Sequence, residues 1–272
     1  MKVLIRAEWE RLWAKKVTWL CFFAVPIMLF ASAKIFLKHN EVVPANYPDY
    51  TYANSFPFMG LSEQLLGTFN MILLVTIILM FSHEYHSGQM RMVLQRSYSY
   101  KQVLLAKIIT TLLTMLLFLT LYFICSYVIG FIFFDYQTSI VLLLHTEPST
   151  GITIVMYNIL YYLIAYITLV AMTSVLVMLT VMSKSTTGAT LLGMGFMLFS
   201  AAYPNIIQFM GSSNLVGFIN YTSLFTLQYN GIATMLIGYP PFIAWCLGVM
   251  FLYIVLCNLI TFRVLSNRDN FI

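Results

Sequence analysis

Few side chains in this sequence are equipped for chemistry, and most of them gather in one interval. Of 272 residues, 9 are Asp or Glu, 14 are Lys or Arg and 4 are His. The stretch His83–Lys107, HEYHSGQMRMVLQRSYSYKQVLLAK, is the most polar interval between two long apolar runs. His83 and His86 stand three apart beside Glu84. A zinc site needs three or four ligands, and no further ligand stands near them, so no metal site is expected here. A GxxxxGK(S/T) loop to cradle phosphate is absent, as are HExxH and GxSxG for hydrolysis. The four cysteines, Cys21, Cys125, Cys246 and Cys257, fall inside apolar runs without CxxC or His-paired spacing. They read as small apolar side chains, with neither a disulfide framework nor a structural zinc expected.

Within the polar interval, SGQMR has some letters of LSGGQ, the ATP-binding signature of transport ATPases. That signature depends on consecutive small residues at a helix start, where backbone N–H groups and the helix dipole meet a phosphate. Here Gly88 is the only glycine and no nucleotide-binding pattern surrounds it. The interval is not a nucleotide site. It reads instead as a protruding helix–turn–helix elbow: Gly88 permits a sharp bend, Met90, Val93 and Leu94 share one side of a short helix, and Ser97–Ser99 can start the next.

The elements that must position this elbow follow from composition. The chain is 61% hydrophobic and 8% charged, with a mean hydropathy of +0.87. Soluble domains carry about 25% charged residues, and a soluble fold of this length could not hide so much apolar surface. Six segments are long enough for a helical crossing, which takes about 20 residues: Val17–Leu37, Glu63–Ser82, Val103–Phe134, Gly151–Met182, Gly188–Met210 and Pro241–Phe262. The runs are continuous rather than alternating, which excludes a strand barrel. With both ends on one side, that side holds every lysine and arginine except Lys34 and Lys38. The excess of positive charge assigns both termini to the cytoplasm. The net charge of +5 suits an anionic inner leaflet, because the basic residues are scattered between apolar runs; no nucleic-acid partner is expected.

The first sixteen residues, MKVLIRAEWERLWAKK, carry Glu8 and Glu10 and are expected to form an amphipathic interfacial elbow helix rather than a cleavable signal. Ile5, Trp9, Leu12, Trp13 and Lys16 share one helical face, while Lys2, Arg6 and Glu10 share another. Trp9 and Trp13 are the candidate interfacial anchors. Lys38–Ser62 and Asp135–Thr150 read as outer loops, and Ser183–Thr187 as a tight cytoplasmic turn. From Ser185 to Phe262 there is no charged residue. Residues 211–238 are too broken by Gly, Ser and Asn for a span, and suit short half-inserted helices on the outer side, packed on protein so that their backbone is satisfied. The expected fold is an all-α integral membrane protein, one transmembrane domain over residues 1–272, with six spans and those external helices between spans five and six.

At the elbow, residues 84–102, the pattern resembles the second cytosolic segment of ABC-2 type transporter permeases. That segment begins with a glutamate, places Gly-Thr four residues on, then a basic residue and leucines, a Pro or Gly, a Ser-Arg pair and a lysine. Glu84, Gly88, Arg91, Ser99 and Lys107 match; Gln89, Ser97 and Tyr100 depart. The resemblance extends over the whole chain, through an amphipathic first helix, six spans and short helices before the last. It implies a permease of the bacterial plasma membrane, similar to those of antimicrobial-peptide export and immunity systems. It also implies a separate cytoplasmic P-loop ATPase that holds ATP and Mg, a second permease chain, identical or related, and a pathway lined by spans two and five. Glu84, Gly88, Arg91, Arg96 and Lys107 would then couple the chain to the ATPase, and the chain itself would have no catalytic residues and no cofactor.

The uncharged polar residues inside spans, Thr68 and Asn70 in span two, Asn158 in span four, Gln208 in span five and Asn258 in span six, have two readings. They bond neighbouring helices or they line a pathway. With no charge expected inside a span, a proton-coupled carrier is disfavoured. Besides an ATP-driven exporter of a hydrophobic or amphipathic molecule, the alternatives are an ATP-independent transporter or channel, and a non-transporting scaffold or sensor component.

Overall fold

The structure is a computed structural model that describes residues 1–44, 47–82, 99–145, 147–183, 185–208 and 214–268. Six helices are long and apolar enough to cross a membrane, and the chain is an α-helical membrane protein. An amphipathic helix, Lys2–Trp13, leads through a two-residue break into the first span, Lys16–Asn40. The second crosses from Phe56 to Phe81, the third runs Tyr100–Phe133, the fourth Gly151–Met182, the fifth Thr186–Gln208 and the sixth Pro240–Arg268.

The fourth span is the hub. It packs against the second, third, fifth and sixth, and 67% of its most apolar window is buried, against 28% for the first span and 17% for the sixth. The outer spans show the bilayer their leucines and phenylalanines, such as Leu198, Phe199 and Phe251. Such residues need no protein partner when lipid is the solvent. Gly193 lets the fifth span approach the second, since a Cβ there would stand 2.5 Å from Leu74 Cδ1.

The third span holds 34 residues, a rise of about 51 Å at ~1.5 Å per residue, well beyond a ~30 Å hydrocarbon core. Its start is a capping box: Ser99 Oγ accepts from Gln102 N at 3.4 Å while Gln102 Oε1 accepts from Ser99 N at 3.2 Å. The serine start expected at Ser97–Ser99 is thus Ser99.

Two expectations need correction. The stretch Lys38–Ser62 is not all loop, because the first helix runs to Asn40 and the second begins at Phe56. Phe56, Pro57, Phe58, Met59, Gly60 and Leu61 are all buried, and Pro57 suits a first helical turn, where no partner for its missing N–H is needed. The remaining loop is pinned by Asn40, whose amide donates to Thr51 O at 2.8 Å and accepts from Thr51 N at 2.9 Å. The second concerns the loop expected at Asp135–Thr150, and it leaves the fold all-α in class. The loop between spans three and four carries two short antiparallel strands, Ser139–Val141 and Pro148–Thr150.

Between spans five and six lie a short helix, Asn214–Asn220, and a second that runs from Leu224 to Leu236 through a wide π-helical turn at Leu227–Gly231. Span two contains two such turns, Leu65–Phe69 and Ile78–Ser82. The turn at 65–69 meets the one at 227–231.

Candidate functional site

Glu8 is the residue that organises the end of the bundle beside the N-terminal helix. In the N-terminal helix it falls between Leu4 and Leu12 on the buried row, the i, i+4, i+8 positions of one face. Its Oε2 accepts from Lys107 Nζ at 2.9 Å, with the Glu8 and Lys107 side chains 3% and 1% exposed. Lys107 also donates to Met80 O at 2.9 Å, and Lys15 donates to Leu79 O at 2.6 Å. Arg11 reaches Glu8 Oε1 at 3.5 Å. Thr111 adds a contact to Met80 Sδ at 3.1 Å.

Leu79 and Met80 lie in the π-helical turn Ile78–Ser82, at the last described residues of span two. Two ammonium groups meet their carbonyls, Lys15 from the break before the first span and Lys107 from the third. Burial, and then the neighbouring Lys107 and Arg11, hold the Lys15 ammonium below the usual lysine range, with Glu8 opposing them. A buried ion pair gains little net energy from its own attraction, because desolvation offsets it. Leaving one partner alone, however, is costly. The cluster therefore welds three elements together: the N-terminal helix, the Ile78–Ser82 turn of span two and the first two turns of span three.

This overturns the expectation that no charge is paired inside a span. Lys107 is inside the third helix, and its carboxylate comes from outside the spans. The sequence carries a signal for it in the apolar row Leu4–Glu8–Leu12 interrupted by one acid. Of the face expected from Ile5, Trp9, Leu12, Trp13 and Lys16, only Leu12 is buried.

Those tryptophans are half-buried. Trp9 stacks on Trp13 at 5.2 Å, and Trp13 packs against Trp19 at 5.5 Å and Phe22 at 4.9 Å. Trp19 Nε1 donates to Trp13 O at 3.0 Å, so an aromatic cluster bridges the break between the first two helices. On the face opposite the Leu4–Glu8–Leu12 row, Arg6 and Glu10 pair at 2.8 Å at exposed positions, which raises the Arg6 guanidinium above its ordinary range.

With this geometry in place, comparison places the chain among known sequences. Residues 19–271 match the family described as protein of unknown function DUF2705. The chain belongs to that family. No curated protein and no solved structure matches it. The DUF2705 match takes in all six spans and Lys107, but begins beyond Glu8 and Lys15. The ion pair therefore joins a residue inside the matched region to one outside it.

Of the residues singled out as coupling positions, Glu84, Gly88, Arg91 and Arg96 lie outside the described residues. Lys107 is described and faces Glu8. Of the candidate pathway residues, Asn70 is fully buried and pairs with Gln228, donating to Oε1 at 2.6 Å and accepting from Nε2 at 3.2 Å. Asn70 is 14 residues into span two, about 21 Å from its start, so the helix at 224–236 reaches the middle of the bundle. Sequence reasoning missed Gln228, which sits in the segment 211–238 expected to form short half-inserted helices, where no pattern marks a partner for Asn70. Asn158, also fully buried, donates to Asn54 O at 3.0 Å and Tyr127 Oη at 2.8 Å. Thr68 donates to Gln64 Oε1 at 2.6 Å, and Gln64 to Ser32 Oγ at 2.8 Å. Asn258 donates to Ser174 Oγ at 3.0 Å and to Ile254 O at 2.7 Å. Asn70, Asn158 and Asn258 each tie separate helices, and Gln208 stands at the end of span five with its side chain outside the described set.

Proposed function

We propose that this DUF2705 chain is the membrane-spanning permease subunit of an ABC transporter of the ABC-2 type. It exports a hydrophobic or amphipathic substrate, peptides included, with energy from ATP bound with Mg on a separate P-loop ATPase. The observation that carries this reading is the Glu8–Lys107–Met80 junction. A partner that moves the segment 84–102 acts directly on the inner ends of spans two and three, and the junction passes that movement to the N-terminal helix. Lys107 acts in this scheme as an internal relay through Glu8 rather than as a contact for the ATPase; Glu84, Gly88, Arg91 and Arg96 provide the docking surface.

The distribution of basic residues supports a bacterial plasma-membrane orientation with both termini cytoplasmic. Trp9 and Trp13 anchor the N-terminal helix at the headgroup layer, and the helices at 214–236 dip into the outer leaflet. A second permease chain completes the pathway, since the exposed row Glu63, Gly67, Met71 and Val75 on span two includes a carboxylate poorly suited to lipid.

The test is copurification of the full chain with a soluble P-loop ATPase encoded beside it. Arg91→Glu and Gly88→Pro should each abolish most of the complex and of ATP-dependent export. Transport that continues without any ATPase establishes the ATP-independent reading instead.

A further inference from the structure

A second site lies at the opposite end of the bundle, where span five meets the helices that precede span six. Its frame begins with Pro204, which has no N–H to offer the carbonyl of Ser200 one turn earlier. Ser223 replaces that bond: its Oγ donates to Ser200 O at 2.5 Å, while Phe225 N donates to Ser200 Oγ at 3.3 Å. Tyr203 donates to Ile219 O at 2.7 Å and also contacts Thr222 Oγ1. Tyr253 of span six donates to Thr222 O at 3.2 Å. The proline-vacated carbonyl is thus used to fasten the two walls together.

Between those walls is a cavity of ≈ 320 Å³ whose polar lining is Asn205, Asn220, Asn230, Thr226 and Tyr229. This volume is at the lower end of the range for ligand pockets. Leu66 of span two, Pro204 and Phe225 supply its apolar side. The three asparagine carboxamides make no hydrogen bond among the described residues, and Asn220 Oδ1 is wholly buried without a partner. Asn54 Oδ1 and Asn158 Oδ1 are also buried without a partner, but each of those carboxamides donates through its nitrogen and neither lines this cavity. Buried polar atoms left unmatched in a folded chain point to a missing water, ion or ligand.

The chemistry of the lining narrows the ligand. No charged residue occurs between Ser185 and Phe262, so the walls of span five and the following helices offer neither an ammonium for an anion nor a carboxylate for a cation. A carboxamide offers one acceptor and a two-proton donor side by side. Its best complement is another planar group that carries a donor and an acceptor together, which is an amide. We propose that this cavity binds the amide group of an uncharged amphiphile between Asn205, Asn220 and Asn230, with the apolar part of the ligand against Leu66, Pro204 and Phe225. A peptide backbone and an N-acyl lipid amide share this chemistry. The inference deepens the transport reading by naming the substrate class, and rests on it only for the site's place on a pathway.

Binding to the isolated full-length chain needs no ATPase, so the two readings fail separately. The chain, in phosphatidylcholine nanodiscs, is titrated with N-acetyl-leucyl-leucinamide, its isostere with all three amides replaced by esters, oleamide, methyl oleate and octyl glucoside. At least one amide should bind, and its ester counterpart should bind about three- to tenfold more weakly, the loss of one or two neutral hydrogen bonds. Asn205→Leu and Asn230→Leu, both at exposed positions of the rim, should each weaken the amide by about the same factor with unfolding temperature unchanged. Preference for the dipeptide identifies a peptide source, and preference for oleamide a lipid amide. Equal binding of amide and ester, or tighter binding of octyl glucoside than of either amide, overturns the proposal. The comparison of amide with ester uses the unmodified chain and stands even where a variant fails to fold.

Discussion

The two ends of this bundle are fastened by different chemistry. Beside the N-terminal helix, one carboxylate and two lysines join three helices through charge-assisted bonds. From the middle outward, in the C-terminal third, the ties are carboxamides and hydroxyls: Asn70 with Gln228, Ser223 with Ser200, Tyr203 with Thr222. A charged junction concentrates its consequences in a few atoms, since one lost partner strands a buried charge. Neutral ties spread them, since each amide or hydroxyl carries a fraction of a kcal/mol. The charged end also lies where the segment 84–102 attaches, so the strongest fastening is placed where the proposed mechanism applies force.

The comparison breaks most visibly at Lys107. Glu8→Ala should strand the buried ammonium and cost about 3–5 kcal/mol, read as a sharp fall in unfolding temperature of the purified protein. The double change Glu8→Leu with Lys107→Met should recover most of that loss while uncoupling ATP hydrolysis from transport. If the double variant is as unstable as the single, the loss at Glu8→Ala does not come from an uncompensated buried charge. Gly193→Leu comes next, because its branches would be driven into Leu74; overpacking of about 1–3 kcal/mol is expected, and Leu74→Ala in the same chain should relieve part of it. At the neutral end, a double-mutant cycle on Asn70→Leu and Gln228→Leu in thermal unfolding should give a coupling of about 0.6 kcal/mol, and no more than ~1.7. A coupling as large as that of Glu8 with Lys107 would erase the distinction between the two ends. The smallest effect belongs to the exposed pair, where Glu10→Gln should leave the melting curve unchanged despite its 2.8 Å contact with Arg6.

Much of the fold was legible because lipid leaves a strong imprint on sequence. The fourth span begins and ends at the residues where its apolar run does, and the fifth and sixth agree to within two residues at their starts. The second span was misjudged at its outer end because Phe56–Leu61 follows a Pro- and Tyr-rich loop, and only its burial against span three shows that it is helical. The candidate site was less legible. Lys107 was expected to be a coupling residue at the end of the polar interval, and its partner lies 99 residues away with no local pattern to link them. Gln228 and Asn220 were equally silent: short helices were expected at 211–238, but nothing local says which of their polar residues turn inward.

The sequence by itself determined the solvent, the number of crossings and the side toward which positive charge is biased. Those depend on composition and run length, which a bilayer reads one segment at a time. Only the tertiary structure decided which polar groups meet: that Glu8 reaches Lys107, that Asn70 finds Gln228, and that Asn220 finds nothing. Hydrogen bonds and ion pairs act over about 3 Å, so they are settled by how helices distant in the chain are packed, which no stretch of sequence specifies alone.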